Sequence, residues 1–158
     1  MAQSEPEPAE RAVEDLRAMG GEVTRSWALA WVAEAYGCSG RAGDALRVLD
    51  GALAAAEAHS ERYFEAEIHR LKGALLLKQG PGNEAGAELS FLRAIDIARN
   101  QQAKWFELRA AVSLGRLWQS QGRREEARAL VTGVYDWFTE GFDLIDLQEA
   151  RALIEELG

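Results

Sequence analysis

A single cysteine, Cys38, stands among the 158 residues, so no internal disulfide framework can hold the fold. As a small residue near a helix end, Cys38 reads as buried or half-buried, not as a nucleophile. Histidine is nearly as scarce. His59 and His69 lie ten apart without a neighbouring ligand pattern, and no metal site is expected. No apolar run approaches the ~20 residues of a membrane span. No charged-then-apolar leader opens the chain, which makes a reducing cytoplasm the expected location. The run Gly-x-x-x-x-Gly-Lys-Ser/Thr of phosphate-binding loops is missing. Positive charge is also short, with 18 basic against 26 acidic residues and a net charge of −8, which disfavours general binding to nucleic acid or an anionic membrane. With no convergent catalytic residues, no enzyme, catalytic group or cofactor is expected.

What is present is an internal repeat. Tyr63-Phe64-Glu65 is followed by Gly73, Gly80, Ala87, Phe91 and Ala94, and Trp105-Phe106-Glu107 by Gly115, Gly122, Ala127, Val131 and Val134. In both copies the aromatic stands ten residues before the first glycine, and the second glycine comes seven later. A fainter copy lies upstream around Ala33, Gly40 and Ala45. Apolar residues recur with the helical period throughout and nothing alternates as a strand does, so the expectation is an all-α fold of about eight helices.

Residues 1–8, with Pro6 and Pro8, read as a flexible acidic leader. Residues 9–158 read as one repeat domain. Its first helix spans about 9–19 and stops at Gly20-Gly21. Others follow over about 24–39, with Leu29, Val32, Ala33 and Tyr36 inward, and 41–59, with Ala45, Leu49, Ala52 and Ala56 inward. Ser60 is a candidate cap for a helix over 61–79 that buries Phe64, Ile68, Leu71 and Leu75. Asn83 is expected to cap the next, running to about 101, which buries Ala87, Phe91, Ala94, Ile95 and Ala98. A helix over about 104–121 precedes one whose apolar series runs from Ala127 through Leu130, Val131, Val134 and Tyr135 to Phe138. Asp143 is expected to cap a terminal helix over 143–157, with Leu147, Ala150, Ile154 and Leu157 inward. The tryptophans other than Trp27 mostly fall on apolar stripes and read as core. Arg123-Arg124 reads as solvated surface.

Pairs repeat at about 40 residues, and one pair cannot bury both its faces, so pairs must stack. Ala33, Gly73 and Gly115 fall midway along the first helix of each pair, where close approach calls for small residues. These positions resemble the tetratricopeptide repeat. Ala33, Tyr36, Gly40, Ala45, Leu49 and Ala52 match its small, large, Gly, Ala, large and small positions in one copy. Gly73, Leu76, Gly80, Ala87, Phe91 and Ala94 match them in the next, and Gly115, Trp118, Gly122, Ala127, Val131 and Val134 in the last. The resemblance implies a right-handed superhelix of stacked antiparallel pairs. The stretches 63–73 and 135–143 are further similar to the C-terminal repeat region of bacterial cyclase/ATPase and maltose-activator-type signalling regulators. That likeness implies a non-catalytic interaction or regulatory module in bacterial signal transduction or transcription regulation.

The concave wall of such folds comes from the first helices. Here those positions include Trp27 and Glu34, then Glu67, Arg70 and Lys78, then Arg109 and Arg116. The plain reading of the four basic residues is that they balance neighbouring carboxylates. The functional reading is a seat for an acidic protein or peptide partner, because arginine binds carboxylates through two parallel bonds. The alternative is an effector-sensing domain that binds a small molecule or acidic peptide in the concave groove. The thin apolar face of the first helix makes self-association through the N-terminal end the expected oligomer contact, a homodimer.

Overall fold

The computed structural model describes residues 25–59 and 62–158. Among them the chain is all-α, with seven α-helices, a single 3-10 turn and no strand. The helices are α1 (Arg25–Cys38), α2 (Ala42–His59), α3 (Glu65–Lys78), α4 (Glu84–Asn100), α5 (Lys104–Ser120), α6 (Arg124–Tyr135) and α7 (Ile145–Leu157), with the 3-10 turn at Arg62–Phe64 before α3. The expected leader, the helix over 9–19 and the Ser60 cap lie outside the described residues. No described helix is long and apolar enough to cross a membrane.

The chain divides into two compact units, Met1–Phe64 and Glu65–Gly158. In the first, α1 packs on α2 as a helix hairpin. Leu29, Ala33 and Tyr36 are buried on α1, and Ala45, Leu49, Ala52 and Ala56 on α2. In the second unit α3 pairs with α4 and α5 with α6, while α7 lies against α6. The first helices also stack on one another, α3 on α5 and α5 on α7. One core joins Phe91, Leu108, Leu114, Val131, Leu147 and Leu153.

Glycine is needed where the two helices of a pair cross. A Cβ on Gly73 would sit 2.5 Å from the Phe91 ring, and one on Gly115 would sit 2.8 Å from Val131 and 3.2 Å from Leu153. The same step therefore recurs from α3/α4 to α5/α6.

Two turns are closed alike. Between α1 and α2, the Arg41 amide donates to the Tyr36 carbonyl at 2.9 Å. Its guanidinium lies 4.6 Å from the Tyr36 ring centre and pairs with Asp44 at 2.8 Å. Between α5 and α6, the Arg123 amide donates to the Trp118 carbonyl at 2.8 Å. Its guanidinium lies 4.3 Å from the Trp118 ring and pairs with Glu126 at 2.7 Å. Arg123 and the Trp118 indole N–H also reach Glu88 on α4, at 2.8 and 2.7 Å. The Arg123 bond, with help from Trp118, holds the Glu88 carboxyl below its ordinary pKa. Arg123 is thus a turn clasp, not the solvated residue expected.

Several other expectations need correction. Asn83 occupies the N-cap place of α4, but its amide donates to the Gly80 carbonyl at 3.2 Å and caps no N–H. The N-cap of α7 is Leu144, not Asp143. Helix α6 stops at Tyr135, so Phe138 reaches the core from the following turn, not from the helix. On α7 it is Leu153 that is fully buried, with Ile154 only packed alongside. Trp31 and Trp137 are exposed, and so is Cys38.

The α4–α5 turn lacks glycine. Gln102 takes a φ of +56°, and the Ala103 amide closes the turn on the Ala98 carbonyl at 2.8 Å. A side chain there carries left-handed strain, partly offset by glycine's extra freedom in the unfolded chain. Gln102→Gly should therefore raise stability by about 0.5–1 kcal/mol. A urea midpoint at or below the wild-type value would show that this backbone is unstrained.

Candidate functional site

Stacking α3, α5 and α7 side by side carries one polar row across three helices. Glu67 stands in the first turn of α3, and Arg70, one turn later, donates its Nε and Nη2 to the two carboxylate oxygens at 2.9 and 2.8 Å. From α5, Arg109 Nη1 reaches the same carboxylate at 2.8 Å, and its Nε lies 3.5 Å from Asp146 on α7. The Glu67 and Arg70 side chains are only 12% and 14% exposed, so both charges are largely removed from water. Each is compensated: Glu67 receives three donors, and the two arginines share it.

Beside this row lies a cleft of about 240 Å³. Arg70 from α3 and Arg109, Val112, Ser113 and Arg116 from α5 line it, and Asp146 and Glu149 from α7 complete it. Arg116 is exposed and makes no ion pair among the described residues. It is the cation of this cleft best placed to meet a ligand.

Of the residues picked out in the sequence, Arg70, Arg109 and Arg116 therefore meet at one place, and Glu67 joins them. Lys78 stands exposed at the last turn of α3 and does not line the cleft. Glu34 is exposed on α1, in the other unit. The Trp27 side chain lies outside the described residues. Sequence reasoning missed Asp146 and Glu149. Three guanidinium groups (Arg70, Arg109, Arg116) face three carboxylates (Glu67, Asp146, Glu149), so the place is charge-balanced. The balancing of basic residues by carboxylates describes Arg70 and Arg109 but leaves Arg116 out.

Elsewhere the chemistry is sparse. Burial pushes the half-buried His69 imidazole below its ordinary pKa. Among the described residues no group of three or more His, Cys, Asp or Glu side chains is placed to hold a metal ion.

No family model matches the chain, and no match was found among curated proteins.

Proposed function

We propose that the chain is a tetratricopeptide-like interaction or regulatory module, non-catalytic and cytoplasmic, of the kind joined to bacterial signalling or transcription regulators. In this reading the pairs continue into a right-handed superhelix, and the face of α3, α5 and α7 is the working surface. The observation that carries it is the repeated close crossing, Gly73 against Phe91 and Gly115 against Val131 one pair later. With each pair closed in this way, the packing of α3 on α5 and of α5 on α7 lays first helices side by side as one face built from local repeats.

The partner we propose for this face is a carboxylate-bearing protein segment seated on Arg116, with Arg70 and Arg109 held ready by Glu67. Reversing Arg70 and Arg109 would test it poorly, because both side chains are packed into the ion row and a new carboxylate beside Glu67 would disturb the fold. Arg116→Glu is the cleaner variant, since its side chain is exposed and makes no ion pair among the described residues. A charge-assisted bond contributes about 1.5–3 kcal/mol, so affinity for an acidic peptide with a free C-terminal carboxylate should fall about tenfold or more. Fluorescence polarisation with that labelled peptide reads the change, and circular dichroism checks the helices. Equal affinity in the variant would remove the cleft from the function.

A second reading is an effector sensor. It is favoured by the size of the cleft, about 240 Å³, which is below the ~300–1,000 Å³ of drug-sized sites and suits a small charged ligand. The homodimer expected through the N-terminal helix rests on residues outside the described ones.

A further inference from the structure

A second surface on Glu65–Gly158 carries an inference independent of that cleft. The connection from α6 to α7 and the start of α5 enclose an aromatic groove of about 640 Å³. Trp105 and Phe138 meet edge to face at 5.9 Å between ring centres, and Trp137 meets Phe138 in the same manner at 5.2 Å. The loop is held in shape by its own backbone. Gly141 takes a φ of +78°, and the Leu144 amide donates to the Gly141 carbonyl at 2.9 Å. Water nevertheless reaches Trp137 at 60% and Leu144 at 47% exposure, although both belong to residue types that gain by burial.

Charge says what covers it. Between Arg128 and Arg151 the sequence has no basic residue and five acidic ones, Asp136, Glu140, Asp143, Asp146 and Glu149. Asp136, Glu140 and Asp143 belong to the groove's loop, are exposed and make no ion pair among the described residues. A second copy of this chain would bring like-charged rims together, which costs energy. A partner segment with large apolar side chains and lysine or arginine flanks would bury the indole and neutralise the rim in one act. We propose that this groove docks a basic amphipathic segment of another protein.

The test uses the full chain and a synthetic 18-residue amphipathic Leu/Lys helix, with a Leu/Glu helix of the same pattern as control. Fluorescence polarisation should show saturable binding of the Leu/Lys peptide that weakens with added salt, and little binding of the Leu/Glu peptide. Trp137→Ala should weaken the Leu/Lys peptide at least tenfold while circular dichroism shows the helices intact, because most of the indole is exposed. Asp136→Asn, Glu140→Gln and Asp143→Asn together should weaken it several-fold and flatten the salt dependence. Unchanged affinity in Trp137→Ala would mean only diffuse attraction to an acidic protein and would overturn the proposal. Equal binding of the Leu/Glu peptide would do the same, as would a dimer that Trp137→Ala dissociates.

Discussion

Gly73→Leu should lower the stability of the protein by about 3 kcal/mol, at the upper end of what overpacking a core costs. The reason is geometric. A Cβ built on Gly73 lies 2.5, 2.7 and 2.9 Å from three ring atoms of Phe91, and Phe91 is itself 1% exposed, so the ring has no free volume to enter. Helices α3 and α4 must move apart, and the loss spreads to the contacts both make with α5. Gly73→Ala should lose less, because alanine recovers up to ~1 kcal/mol of helix propensity against the same clash. Gly115→Leu should behave like Gly73→Leu, since its Cβ would meet Val131 and Leu153. Gly133 on α6 is the control, because a Cβ there meets nothing within 4 Å and its substitution should leave stability equal or higher. Urea unfolding at a constant m-value measures all four. A wild-type midpoint for Gly73→Leu would mean that α3 and α4 do not cross at Gly73.

The parts of the fold legible in the sequence are those set by local periodicity. Ala87, Phe91, Ala94, Ile95 and Ala98 were readable as one face of a helix, and all five are buried. The small residues at Gly73 and Gly115 were readable as crossing points because no other demand explains a glycine in mid-helix. Some of the failures fall after Val134. The spacing from Ala127 to Phe138 satisfies a helix, yet α6 ends at Tyr135, and Phe138 is held by packing on Trp105 instead. Hydrophobic spacing records which residues are wanted inside; it does not say whether the chain is still helical when they arrive. Trp31 and Trp137 show the converse, since an aromatic on an apolar stripe need not be covered by its own unit.

The candidate cleft was half legible for a related reason. Glu67, Arg70, Arg109 and Arg116 sit at register positions that a helical repeat projects onto one face, so counting along each helix was enough. Asp146 and Glu149 come from α7, which follows an irregular connection that breaks the register. Reading the terminal helix only for its inward apolar residues left Asp146 and Glu149 unassigned, whereas packing of α7 on α5 brings Asp146 to Arg109. Similarly, Arg123 looked like one of a solvated pair because Glu88, its partner on α4, lies 35 residues away in sequence.

Glu107 carries the second large effect. It is 2% exposed in the first turn of α5, and its two carboxylate oxygens accept from Arg99 Nε and Lys104 Nζ, each at 2.7 Å. The pair of bonds ties the last turn of α4 to the first turn of α5 across the strained Gln102 corner. Glu107→Ala should cost about 3 kcal/mol, the lower end of the range for breaking a buried ion pair, because both cations keep a path to water. Glu107→Leu should cost less, since it fills the space and removes the burial penalty of the charge. The dependence on pH separates the charge from the packing. Burial pushes the Glu107 carboxyl up, but the bonds from Lys104 and Arg99 outweigh it and hold it below the ordinary glutamate value. A carboxyl with a lowered pKa in the folded state contributes stability that is complete above its unfolded pKa, about 4.3, and is lost as pH falls through the folded value. The stability gap between wild type and Glu107→Ala should therefore be widest near pH 7 and shrink below about pH 4. A gap of constant size from pH 7 to pH 3 would assign the whole effect to lost packing and leave the α4–α5 corner without its ionic clasp.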